Sequence, residues 1–251
     1  MKKLLVIGIG AGNPDYITMQ AVKALNRVDV FFLMDKGQSK DKLIDLRREI
    51  CERYITDRDY RFVEAQSPER EHGDVDYTAS VEDLNLAKQR TFERLINEQL
   101  PDDQCAGFLV WGDPALYDST LRILQAILAS GACAFEFEVI PGITSVQALA
   151  AQHKVPLTQI GRSVEITTGR RLAAGQVSDA DSLVVMLDAQ DAYHQMTDKD
   201  AEIYWGAYLG TPDEILISGR LGDVEDEIER VRKAARLANG WIMDTYLLRR
   251  P

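Results

Sequence analysis

The stretch Leu109–Thr120, LVWGDPALYDST, restricts the fold of this chain more than any other. It opens inside an apolar run, Gly107–Trp111, of the kind that forms a strand buried on both faces. Gly112-Asp113-Pro114 then stops the run: glycine lets a ligand approach the backbone, and proline fixes φ and withholds a donor. Asp118, Ser119 and Thr120 follow with oxygens suited to cap an amphipathic helix over Leu121–Ala129. A strand, a glycine turn and a capped helix are how open α/β sheets build ligand sites at strand C-termini.

Two further stretches repeat the arrangement. Lys3–Ile9 predicts an inner parallel strand, followed by a Gly8–Gly12 turn and a helix capped by Thr18, with Met19, Val22, Ala24 and Leu25 as its apolar positions. Val28–Met34 predicts the next strand, ending in Asp35, so the first 35 residues read as a βαβ unit. Glu136–Ile140 predicts another strand, closed by Pro141-Gly142 and followed by a helix over Ile143–Gln152. In a parallel sheet all three turns face the same way and line one crevice, where freed backbone amides can hold a polar small molecule. Between these units we expect a helix over about Lys40–Tyr54, a short strand at Tyr60–Val63 and a helix over Val81–Gln99. Ser67–Ser80 is aperiodic and contains Pro68 and Gly73; it reads as a long loop, either a binding segment or a surface excursion.

Beyond a connector at His153–Ser163 the pattern changes to a mixed sheet. Its expected strands are Val164–Thr168, Leu183–Leu187, Ile203–Tyr208, Glu214–Ser218 and Trp241–Leu248, with a helix at Val224–Leu237. The fold class is therefore α/β, with two α/β domains: residues 1–140 around a mostly parallel sheet and 141–251 around a mixed one.

Composition narrows the function. The chain has 251 residues, 45% of them hydrophobic, enough for real cores without covalent staples. Cys51, Cys105 and Cys133 share no metal-ligand or redox spacing and read as buried thiols in a reducing compartment. His72, His153 and His194 are scattered, so neither a metal site nor a catalytic triad is visible. No apolar run reaches the ~20 residues of a membrane span, and Leu4–Ile9 is a strand rather than a signal segment. A soluble, cytoplasmic protein is the expectation. The net charge of −11 repels nucleic acid and anionic membranes, and an anionic substrate would need a local basic patch. Such a patch is offered by Arg170 and Arg171 after the expected strand Val164–Thr168, with Arg162 upstream and Arg220 further on. All four are equally readable as solvated surface residues.

A nicotinamide dinucleotide site is the rival reading of Gly8-x-Gly10-x-Gly12, with Asp35 as the ribose-binding acid. It is poorly supported, because Asn13 occupies the third glycine position and Pro14 prolongs the turn. Asp113 reads either as a ligand contact or as a turn residue bonded to nearby amides. Asp35 is equally a helix cap, and Tyr117 equally a packing residue.

GIGAG (8–12), WGDP (111–114) and PGITS (141–145) stand in the order and spacing of the tetrapyrrole methylases, and the chain resembles that S-adenosylmethionine-dependent family from end to end. Ala11 stands where the family usually has proline. Within the family the resemblance is to the branch that methylates C1 of precorrin-5 and expels the acetyl group as acetate. It is carried by the stretches 35–55, 109–124, 166–172, 203–221 and 240–250. The resemblance implies S-adenosylmethionine as cofactor, a precorrin substrate, a trough between the two domains and a homodimer. Cofactor contacts carry over to Gly10, Ala11, Trp111, Gly112, Asp113, Leu116, Thr144 and Ser145, and in the second domain to Leu187, Ala207, Tyr208 and Leu209. Deacylation needs an oriented water, for which Asp35 and Tyr117 are the candidates. The substrate's carboxylates give Arg170 and Arg171 a purpose. Methylation of another precorrin carbon, of RNA or of a protein side chain, a nicotinamide-dependent oxidoreductase, and a ligand-binding regulator without catalysis stay open from sequence.

Overall fold

A computed structural model describes residues 1–35, 41–68 and 77–250. The chain divides into two compact units, one formed by Met1–Gly10 and Pro14–Ile143, the other by Ala11–Asn13 and Thr144–Pro251.

The first unit is built on five parallel strands, β1 (Lys2–Gly8), β2 (Val30–Asp35), β3 (Arg61–Gln66), β4 (Cys105–Val110) and β5 (Phe135–Ile140), in the order β3-β2-β4-β1-β5. Alternation along the strands divides their apolar residues between two faces. Leu4, Val6, Val30, Phe32, Phe108 and Val110 pack under α3 (Tyr77–Gln99) and α4 (Thr120–Ser130). Leu5, Ile7, Phe31 and Leu109 pack under α1 (Met19–Leu25) and α2 (Asp41–Tyr54). Gly107 leaves room for Phe31, whose ring atoms would stand 3.0 Å from a Cβ there. Thr18 caps α1 by accepting from the Ala21 amide at 3.0 Å, as its position predicts.

The second unit holds a mixed sheet, β6 (Val164–Thr168), β7 (Ser182–Met186), β8 (Glu202–Ala207), β9 (Ile215–Arg220) and β10 (Asp244–Arg249), in the order β6-β7-β10-β8-β9. Only β6 and β7 run parallel. Its helices are α5 (Ser145–His153), the short α6 (Gly169–Ala173) and α7 (Leu221–Asn239). Its apolar core is threaded by a buried polar knot. Arg232, 4% exposed, donates to Asp244 at 2.8 Å and pairs with Asp191 at 3.1 Å. Asp188 accepts from Tyr246 at 2.7 Å and from the Ala192 amide at 2.8 Å.

Two expectations are corrected. The loop placed at Ser67–Ser80 is shorter, because α3 begins at Tyr77 rather than Val81; residues 69–76, His72 among them, lie outside the described residues. Ser119 makes no side-chain cap on α4; Asp118 does that work, accepting from the Thr120 amide at 2.7 Å. Cys51, Cys105 and Cys133 are buried free thiols. No described helix is long and apolar enough to cross a membrane.

Candidate active site

In the first unit the register of β1 against β4 and β5 brings the three glycine turns together at the C-terminal end of the sheet. Gly10 and Gly112 exchange backbone bonds, Gly112 N to Gly10 O at 2.8 Å and Gly10 N to Gly112 O at 3.3 Å. Gly142 lies so close that a Cβ on it would stand 2.0 Å from the Gly112 carbonyl oxygen. Asp113 ties the second turn to the third: its Oδ1 accepts from Ala115 N at 2.7 Å and its Oδ2 from Gly142 N at 2.8 Å. The amides of Gly10, Gly112 and Gly142 are thus bonded within the turns, which corrects the expectation that these turns free their amides for a ligand. What they supply instead is a close-packed cluster of backbone, with Gly142 against Gly8 and Gly112 and Gly10 against Tyr16.

The dinucleotide reading fails on the same geometry. After Gly12 the chain makes a 3₁₀ turn at Pro14–Tyr16, and α1 starts only at Met19, so no helix N-terminus follows the glycines to receive a pyrophosphate. Within the second unit, Gly12 is pressed against the turn after β8: a Cβ on it would lie 2.4 Å from the Leu209 carbonyl oxygen. Ala11 is buried.

In the second unit the pairings Thr168↔Met186, Met186↔Thr245 and Ala207↔Asp244 place the end of β6, the end of β7, the end of β8 and the start of β10 at one end of the sheet. Leu187 follows β7 there, Tyr208 and Leu209 follow β8, and Arg170 and Arg171 sit on α6 directly after β6. Thr144 caps α5 through a capping box with Gln147, which commits its hydroxyl to the helix. Ser145 accepts from the Thr245 hydroxyl at 2.9 Å. The Tyr208 ring packs edge-on against Trp241 and its hydroxyl lies within donating distance of the Trp241 and Ala235 carbonyls, so the side chain is committed to the core.

The basic patch is split. Arg170 and Arg171 are exposed at this end, Arg171 donating to the Gln176 carbonyl at 2.9 and 3.2 Å. Arg162 precedes β6 and Arg220 ends β9, which places both at the opposite end, paired with Asp181 and Asp200. Asp35 ends β2, opposite Gln66; its side chain lies outside the described residues. Trp111 and Leu116 are half-buried beside the Gly-Asp-Pro turn.

Backbone strain falls on the same positions. Six non-glycine residues have positive φ among the described residues; Asp57 and Asp191 are of a type that adopts it readily, and Lys154 is the C-cap of α5. The other three are Tyr117 (φ 53°), Leu187 (φ 53°) and Tyr208 (φ 50°). Bulky residues hold this conformation only where the surroundings impose it, and such positions cluster at functional sites. Tyr117 and Leu187 are also 44% and 62% exposed.

One feature carries no sequence motif. A cavity of about 150 Å³ opens beside Trp111, with Arg47 from α2 and Lys88 from α3 in its wall. Burial pushes Arg47 down to about 10, against the nearby Asp118, and lowers Lys88 from the ordinary lysine value.

The family model of the tetrapyrrole (corrin/porphyrin) methylases matches residues 3–225. A precorrin-6A synthase (deacetylating) of Sinorhizobium sp. is 51% identical over 250 residues, covering 100% of this chain and 96% of its own. A solved cobalamin synthesis related protein (CobF) from Corynebacterium diphtheriae is 34% identical, with a TM-score of 0.82 over 99% of this chain and 98% of its own. Uroporphyrin-III C-methyltransferase from Thermus thermophilus, solved in complex with S-adenyl homocysteine, shares the fold at 18% identity, with a TM-score of 0.60 over 98% and 91% of the two chains. Motif order, strand-end geometry and end-to-end similarity agree: the chain belongs to the tetrapyrrole (corrin/porphyrin) methylases.

Proposed function

We propose that this chain is the S-adenosylmethionine-dependent C-methyltransferase of cobalamin biosynthesis that methylates C1 of precorrin-5 and releases the acetyl group there as acetate, giving precorrin-6A. Similarity to the deacetylating Sinorhizobium enzyme over the whole chain supports the reaction. The observation that supports the residue assignments is the strain: Tyr117 in the first unit and Leu187 and Tyr208 in the second are the only aromatic or aliphatic described residues at positive φ, and all three are among the site candidates named with the family resemblance.

In this reading S-adenosylmethionine supplies an electrophilic methyl group on sulfonium. The glycine turns, packed backbone on backbone with Asp113 holding the second to the third, form the strand-end surface we assign to the cofactor. Gly10, Trp111 and Leu116 in the first unit, and Ala11, Thr144, Ser145, Leu187, Ala207, Tyr208 and Leu209 in the second, are the further residues we assign to cofactor binding. Positioning of the macrocycle carbon in line with the methyl and exclusion of water supply much of the rate. Asp35 and Tyr117 orient the water that attacks the acetyl carbonyl. Arg170 and Arg171 bind peripheral carboxylates of the substrate. The protein acts as a cytoplasmic homodimer, a state that sedimentation velocity measures directly.

Calorimetric titration with S-adenosylhomocysteine, with NADPH as control, tests the cofactor; binding of the former alone is expected. Turnover of precorrin-5 with detection of acetate tests the reaction, and methylation without acetate would assign another ring carbon. Binding of NADPH alone would overturn the reading.

A further inference from the structure

The cavity beside Trp111 has a structural cause. β2 and β4 pair through only three positions, Val30↔Ala106, Phe31↔Gly107 and Phe32↔Phe108, whereas β2 stays paired with β3 as far as Asp35. Beyond Phe32 and Phe108 the two strands part, and the gap between them is the cavity. Its floor is apolar, with Phe108 stacked on Phe92 at 4.5 Å. Its polar wall is made by Arg47, Lys88, Asp118 and Ser119.

Among the described residues, two cations face one carboxylate there, on a chain of net charge −11. Arg47 is held rigidly: Nε donates to the Leu109 carbonyl, left unpaired by the parting strands, at 3.0 Å, and Nη1 to the Leu43 carbonyl at 2.6 Å. Lys88 reaches the Ser119 hydroxyl at 3.4 Å. Asp118 is itself engaged with the Thr120 amide at 2.7 Å. Half-buried cations in excess of the described carboxylates are stabilised when an anion joins them, so the pocket suits an anion. Its size admits a small anionic group, and its adjacency to the Gly-Asp-Pro turn puts that group beside a strand end assigned above to the cofactor, where the carboxylates of the proposed reaction are the anions at hand.

We propose that the Arg47–Lys88 pocket binds a carboxylate of the reaction, either an acidic side chain of the macrocycle or the acetate it releases. The assignment rests on the function proposed above. Arg47 fixes the geometry of the pocket through the two carbonyls, and Lys88 supplies the adjustable charge.

The test compares the wild type with Lys88→Met and with Arg90→Met, which removes an exposed charge from the same helix. Sodium acetate, against sodium chloride at equal ionic strength, should raise the melting temperature of the wild type and Arg90→Met but not of Lys88→Met. In turnover, a KM for precorrin-5 raised about tenfold or more by Lys88→Met alone identifies a substrate side chain, as loss of one charge-assisted bond predicts. Loss of inhibition by added acetate, with KM unmoved, identifies the released product. If Lys88→Met matches the wild type in acetate protection, acetate inhibition and KM, the pocket is not a carboxylate site. Should the chain bind S-adenosylhomocysteine yet leave precorrin-5 unchanged, the proposed reaction falls and acetate protection alone decides: protection lost in Lys88→Met keeps the site, and no protection of the wild type overturns it.

Discussion

Asp113 shows how much one side chain can decide. Its two oxygens accept from amides 2 and 29 residues further along the chain, Ala115 and Gly142, so a local turn and a distant strand end share one carboxylate. The sequence exposed the local half of that role, an acid before a proline in a glycine turn, but the bond to Gly142 depends on β4 and β5 flanking β1. Asp113→Asn can satisfy only one of the two amides, because its NH₂ group must face the other. Denaturant unfolding should show a loss of about 2 kcal/mol, the worth of a charge-assisted bond. S-adenosylhomocysteine affinity should fall with it, and unchanged affinity would mean that Asp113 does not shape the cofactor site. Cys51 gives a prediction in pH. Burial, with a smaller contribution from Glu52, raises its thiol from 9.0 to about 12. Below pH 9 both folded and unfolded chains keep the proton; between pH 9 and 12 the unfolded chain releases it and the folded chain does not. Stability therefore falls as pH rises through that window, by up to about 1.4 kcal/mol per pH unit for one proton. Cys51→Ala should flatten the alkaline limb of a stability–pH curve measured by urea unfolding; an unaltered limb would show that the thiol ionises freely in the fold.

Among the elements, strands were read to within two residues or so wherever apolar residues run together, as in β1, β4 and β7. Helix starts were harder, since the first turn of α3, Tyr77 to Ser80, is polar and looks like the loop before it. α7 hid something else. Ile228, Arg232 and Ala235 share its buried face, and a lone arginine at apolar spacing was the one sign that this helix carries an ion pair inward. The partners could not be read from the sequence, because Asp244 comes from β10 and Asp188 from the segment after β7, 12 and 44 residues away. Removing the cation leaves Asp244 buried without its counter-charge, the situation that costs about 3–5 kcal/mol in other buried pairs. Arg232→Met should therefore lower the melting temperature sharply at pH 7. Burial already pushes the Asp244 carboxyl up. Without Arg232 it rises further and the carboxyl takes up a proton as pH falls, so the deficit against the wild type should shrink in acid. A deficit equal at pH 7 and pH 5, followed by urea unfolding, would mean that packing rather than charge is what Arg232 contributes.

At the scale of the whole chain, a net charge of −11 opposes a substrate that carries many carboxylates. In the proposed function that conflict is met by the way the second sheet sorts the arginines. Arg162 and Arg220, at one end, are neutralised by Asp181 and Asp200, whereas Arg170 and Arg171 lie at the end shared by Leu187 and Tyr208. The sequence showed four arginines; only the antiparallel course of β9 and the parallel course of β6 divide them in two. Attraction by the local pair and repulsion by the rest of the chain are both screened by salt, over a Debye length of about 10 Å at 0.1 M. They act with opposite sign on substrate capture, which makes them separable. With Arg170 and Arg171 present, attraction at short range dominates and KM for precorrin-5 should rise with salt. Replacing both by alanine removes the attraction and leaves the repulsion, so KM should be higher at low salt and should fall as salt is added. A double variant with the wild-type KM and the wild-type salt response would remove these arginines from substrate binding and leave the cavity cations as the chain's means of holding a polyanion.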